Sequence, residues 1–145
     1  MIPAKGSEPP DAVAFGRSIP PGLGINLIVS NGDRAARFQV RVFGARIEYS
    51  EEHFAVMSAV GSRWLLHSDW SYRNHEMRGV VSGLHARGAG VELRLYGVDP
   101  DRAEAAARSS EDTILAASAD KPHGLRESYI VDDDGYVWVP CVPTK

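Results

Sequence analysis

Hydrophobic positions change their period in a fixed order along this chain. Ile25, Leu27 and Val29 alternate with Asn26, Ile28 and Ser30, which predicts a strand. Asn31-Gly32-Asp33 then offers a turn and a side chain able to cap a helix. In the following segment Arg34, Arg37 and Arg41 share one helical face. Ala35, Phe38 and Val42 share another, joined by Ala36, Val40 and Phe43. Gly44 suits the helix C-terminus, where a left-handed backbone ends many helices. Three strand candidates follow at Ala45–Ser50, Phe54–Val60 and Arg63–Ser68, with Gly61-Ser62 as the last turn. The order is β-α-β-β-β.

Residues 69–90 break the pattern. This Gly-rich stretch carries no sustained period and predicts a long connection of the kind that often serves function. The order then returns. Val91, Leu93 and Leu95 alternate with Glu92, Arg94 and Tyr96. Asp99-Pro100 supplies a cap followed by proline at the first helical position, and Ala103, Ala106 and Ala107 mark an inward face. Strands are expected at Thr113–Ser118, Leu125–Val131 and Tyr136–Val142, with a tight turn over Asp132–Gly135. A second β-α-β-β-β unit results. Two such units make an α+β protein. Neither small sheet can bury itself, so the pair is expected to pack together and cup a cavity.

Residues 1–22 hold many prolines and glycines, and are expected to form a flexible or surface-draped arm; Ala14-Phe15 could anchor it, but a loose tail is the favoured reading. Residues 23–145 then make one domain, with modules at about 24–68 and 91–142. The net charge is −3, from 16 basic and 19 acidic residues, and the basic residues are dispersed. Nucleic acid is therefore not an expected partner, since binding it calls for a concentrated basic face. The single Cys141 cannot form an internal disulfide, and neither a signal-peptide pattern nor a bilayer-length apolar run is seen. The expectation is a cytoplasmic protein with no membrane contact.

Three segments resemble one family. The first, NGDRAARFQVRVFGA (Asn31 to Ala45), is similar to the first-helix motif of glyoxalase and bleomycin-resistance proteins. The second, GVELRLYGVDPDRAEAAAR (Gly90 to Arg108), resembles the start of their second module. The third, PHGLRESYIVDDDGYVWVP (Pro122 to Pro140), resembles the module's closing hairpin, a Gly-x-Arg strand, an Asp-x-x-Gly turn and an aromatic-bearing last strand. On these residues the chain resembles the vicinal-oxygen-chelate superfamily, which also includes extradiol dioxygenases. The resemblance implies paired βαβββ modules around a central cleft, commonly in a homodimer. In metal-dependent members it implies a divalent ion held by His, Gln or Glu from the first and last strands of each module. Such an ion offsets charge that develops on substrate oxygens.

At the positions implied for those ligands this sequence carries Gly24 (or Asn26), Leu65 with His67 two residues on, Glu92, and Val139. Only His67 and Glu92 are ordinary ligand types, short of the three or more that divalent sites use. His67 could equally be a hydrogen-bonded strand residue and Glu92 a solvent-facing one. Asp132-Asp133-Asp134-Gly135 lacks the alternation of a calcium loop, and reads as a hairpin turn. Cys141 reads as structural. The aromatic residues Trp64, Tyr136 and Trp138 fall on strands expected to border the cleft; they could equally be core or dimer packing. Trp70 and Tyr72 lie in the connection, where a lid or interface role is expected.

The sequence therefore leads to this expectation. A small aromatic or amphipathic molecule binds in the inter-module cleft, at Trp64, His67, Glu92, Tyr136 and Trp138. No cofactor or family-type metal site is needed, although a divalent metal on His67 and Glu92 is possible. The alternative is a metal-dependent lyase, isomerase or dioxygenase with an altered ligand set; a scaffold role is the third option.

Overall fold

The computed structural model describes residues 11–145, so the first ten residues of the expected arm lie outside the described residues. The rest of the arm contains a helix, α1 (Ala12–Ser18), where no sustained period was expected. Asp11 caps it by accepting a hydrogen bond from the Val13 amide at 3.1 Å. The helix buries none of its residues, which is why a periodicity reading passes over it. Phe15 nevertheless meets Phe54 edge to face, with ring centroids 6.1 Å apart.

The first module runs β1 (Asn26–Val29), α2 (Gly32–Phe43), β2 (Arg46–Glu51), β3 (Phe54–Ala59) and β4 (Ser62–Ser68). Its sheet has the order β1-β4-β3-β2, with β1 parallel to β4 and the other pairs antiparallel. The second module repeats this with β5 (Glu92–Tyr96), α4 (Pro100–Ser109), β6 (Thr113–Asp120), β7 (Leu125–Val131) and β8 (Val137–Pro143), in the order β5-β8-β7-β6. The expected α+β pair of βαβββ modules is thus the observed architecture. Between the modules, the connection forms a 3₁₀ turn over Asp69–Tyr72 and a short helix, α3 (Met77–Val81).

Both long helices are punctuated as their sequences require. The Asn31 side chain accepts from the Arg34 amide at 3.0 Å, and Gly44 closes α2 in the left-handed region at φ 67°. Asp99 caps α4 ahead of Pro100.

Two expectations about faces need correction. Val40 was placed on the inward face of α2, but it is exposed, and Gln39 is fully buried in its place. A rotation of about 100° per residue keeps Ala36, Gln39 and Phe43 on one line. Gln39 is tolerated there because its Oε1 accepts from the Trp64 indole N–H at 2.9 Å. Ile25 and Val91, expected as the first inward residues of their strands, both lie ahead of β1 and β5 and are exposed.

Each long helix lies on its own sheet, and α2 also touches α4, so one core spans both modules. At its centre Trp138 packs against Phe43 with centroids 5.2 Å apart and against Trp64 at 5.7 Å. Such aromatic groups supply much of a core's buried apolar area. Among the described residues no helix is long and apolar enough to cross a membrane.

Candidate functional site

Strand parity decides which side chains are free to meet a ligand. On β4, Trp64, Leu66 and Ser68 are buried, while Leu65 and His67 are half-buried on the other face. The cross-strand register places Asn26 and Ile28 of β1, Phe54 and Val56 of β3, and Tyr49 and Glu51 of β2 on that same face. Neither α2 nor α4 covers it. Instead α1 and the Asp69–Tyr72 turn border a cleft of about 520 Å³ there. Phe15, Tyr49, Phe54 and Trp70 form its aromatic walls, and Glu51, His53 and His67 are its principal polar groups. Its volume falls within the range of small-molecule sites.

His67 is held from two sides. Its ring lies 4.9 Å from that of Phe54 and meets Tyr72 edge-on at 5.3 Å. Its Nδ1 is 2.6 Å from Asn26 Oδ1, and the Asn26 amide group donates to the Tyr72 hydroxyl at 2.6 Å. Burial pushes the imidazole pKa below its ordinary value, and the Glu51 charge offsets this in part. Trp70 is likewise fixed. It stacks on His53 with centroids 4.2 Å apart, while the Arg73 guanidinium sits 3.5 Å above its ring. His53 in turn is anchored by a 2.7 Å hydrogen bond between Nδ1 and Ser68 Oγ. Trp70 therefore presents a braced edge, although it is 54% exposed.

The other four expected site residues lie elsewhere. Trp64 and Trp138 are buried in the core and reach only the wall of a second cavity, a groove of about 420 Å³ between the modules that Glu92 also lines. Tyr136 precedes β8 instead of beginning it, and its hydroxyl donates to the Ile28 carbonyl at 2.8 Å. The structure therefore brings Trp64, Glu92 and Trp138 to one groove and His67 to another cleft. Phe15, Tyr49 and Phe54 were not singled out from sequence. They come from three separate elements: the register of β2 and β3 puts Tyr49 and Phe54 on one face, and α1 brings Phe15 against Phe54.

Glu92 belongs to a closed ionic network. It accepts from Arg94 at 2.8 Å and from the Tyr129 hydroxyl at 3.1 Å, while Arg94 also bonds the buried Glu127. Burial discourages charge on Arg94, but the bonds from Glu127, Glu92 and Tyr129 outweigh it and raise its pKa. For Glu127, burial opposes ionisation, but the hydrogen bonds from Arg94 and His123 and their charges together outweigh it, so its pKa is lowered. Cys141 lies beneath this network, buried, with burial raising its thiol pKa; that environment suits a packed residue and not a nucleophile.

These contacts test the implied metal site. His67 and Glu92 line different cavities, and Glu92 is already held by Arg94 and Tyr129. Among the described residues no three His, Cys, Asp or Glu side chains are grouped to hold an ion. The donor set does not fit a family-type divalent chelate.

A comparison with sequence-family models returned no match, and neither did one with curated protein sequences. Solved structures do share the architecture. TioX from Micromonospora sp. ML1 is 20% identical, over 86% of this chain and 98% of that one, with a TM-score of 0.61. A glyoxalase/bleomycin resistance protein/dioxygenase from Nocardioides is 16% identical over 92% of each chain, at 0.63. The fosfomycin resistance protein FosX from Listeria monocytogenes is 15% identical, over 87% of this chain and 95% of that one, at 0.62.

Proposed function

We propose that this chain, which has the paired-βαβββ fold of the vicinal-oxygen-chelate superfamily, binds a planar aromatic or amphipathic small molecule in the cleft on the open face of its first sheet. The observation that carries this reading is the cleft itself: a cavity of about 520 Å³ with four aromatic walls and a half-buried imidazole among them. Aromatic walls with few polar anchors suit a flat ligand, because stacking supplies affinity and the polar groups fix orientation. Binding of this kind needs no chelated metal, in keeping with candidate donors, His67 and Glu92, that line different cavities. The fosfomycin resistance protein among the structural neighbours lends the reading support by analogy of fold alone.

The inter-module groove has a different character. Leu23, Ile25, Val60, Val91 and Tyr96 are exposed along it, and of its three charged residues, Arg63, Glu92 and Arg94, the last two pair with one another. On this reading a second copy of the chain covers that apolar strip, which makes the protein a homodimer. Light scattering that returns the mass of a single chain at micromolar concentration overturns the dimer without touching the cleft.

The cleft is tested by titrating the protein with 2-methoxynaphthalene and following its amide signals by NMR. Saturable shifts at Phe15, Phe54 and Trp70 are the expected result. Shifts confined to Val91 and Tyr96 would move the site to the groove, and the absence of any saturable shift would defeat the reading.

A further inference from the structure

The hydrogen-bond chain Tyr72–Asn26–His67 bears on which ring nitrogen of His67 carries the proton. The Asn26 amide group donates to the Tyr72 hydroxyl at 2.6 Å, so its oxygen is the atom that faces His67. An amide oxygen only accepts, so with the Asn26 amide in this orientation His67 Nδ1 is the donor. From this geometry we infer that His67 presents Nε2 to the cleft as an unprotonated acceptor, and that the site selects planar ligands bearing a weakly acidic O–H or N–H, phenols being the simplest class. The inference rests on the cleft being the binding site.

Three observations support it. His67 lines the cleft, and its Nε2 has no hydrogen-bond partner among the described residues. Burial keeps the ring neutral near pH 7, so that Nδ1–H leaves Nε2 bare. The ring is held between Phe54 and Tyr72, so it does not turn freely to offer the other nitrogen. A ligand lying against Phe54 and Trp70 gains a hydrogen bond if it carries a donor; a ligand with only acceptors faces lone pair against lone pair.

The first test uses the free wild-type protein. Histidine ¹⁵N correlation spectra at pH 7.5 should show His67 as the Nδ1–H tautomer, and Asn26→Leu should abolish that preference. The second compares 2-naphthol with 2-methoxynaphthalene, which differ in the donor, by calorimetry. Wild type should bind the naphthol roughly tenfold more tightly, the worth of one hydrogen bond to a shielded acceptor. His67→Leu should bring the two probes to within about twofold of each other while still binding the ether. An Nε2–H tautomer, or equal affinities in wild type, overturns the inference and leaves the cleft standing. Failure of both probes to bind overturns the cleft and the inference together.

Discussion

The Arg87 guanidinium grips the Asp69 carboxylate through two hydrogen bonds, of 2.6 and 2.9 Å, while its side chain is only 7% exposed. A further bond of 3.2 Å reaches the Ile28 carbonyl on the open edge of β1, and Asp134 lies 4.0 Å away. Asp134 in turn accepts from the Ser30 amide at 3.1 Å. One side chain of the inter-module connection therefore ties the first module's edge to the second module's hairpin turn.

Replacing Arg87 with Met should destabilise the fold by about 2–4 kcal/mol, because Asp69 and the Ile28 carbonyl lose a donor and Asp134 loses a neighbouring positive charge. Asp69→Ala should cost about 1 kcal/mol, since Asp69 is partly solvated and Arg87 keeps its other acceptors. Urea denaturation of the two variants checks that order; equal losses would show that Arg87 acts only through Asp69.

The same turn holds a second constraint. Gly135 sits at φ 83°, and a Cβ there would lie 2.2 Å from the His85 carbonyl oxygen, which is backbone and cannot move aside cheaply. Gly135→Ala is expected to cost more than about 2 kcal/mol, whereas Gly44→Ala, left-handed but in open space, should cost about 1 kcal/mol. Thermal unfolding of both variants should reproduce this order.

Asp132 makes that turn pH-sensitive. Its carboxylate accepts from the Trp138 indole N–H at 3.0 Å and from the amides of Asp134 and Tyr136, yet burial dominates and raises its pKa to about 6. With an unfolded value near 3.8, the native state holds the proton more tightly. The associated stability is fully present below pH 4 and is lost as pH rises through 6. Wild type should therefore lose about 2 kcal/mol more than Asp132→Asn between pH 4 and pH 7. The buried His67 has the opposite sign: its depressed pKa gives stability present above pH 6.5 and lost on acidification. It is common to both proteins and cancels in the difference. Parallel pH profiles of urea midpoints for the two proteins would show that Asp132 does not titrate in this range.

The fold was legible because its signals are local. Asn31, Gly44, Asp99 and Pro100 mark helix ends through chemistry that acts over a few residues, and β7 runs over Leu125–Val131 as its pattern predicts. The site was less legible because RWLLHS is apolar at both parities. Trp64 and Leu66 point to the helices and Leu65 and His67 to the cleft, yet nothing within the segment distinguishes the two faces. Choosing Trp64 and Trp138 for a cleft wall follows from their size, but the core claimed them for the same reason. Asp11, as a cap ahead of Ala12–Ser18, was the one available sign of α1, and so of Phe15 in the cleft wall.

The two sides of the cleft differ in how firmly they are built. Its floor is a four-stranded sheet backed by the shared core, whereas α1 borders it with a helix that buries none of its own residues. Substitutions at Ala12 and Phe15 of α1, or at Ile19 just past its end, are thus expected to reshape the cleft wall while leaving the folding unit intact. On the proposed reading, the cleft therefore has one wall that can change without disturbing the core, beside the fixed imidazole that the sheet supplies.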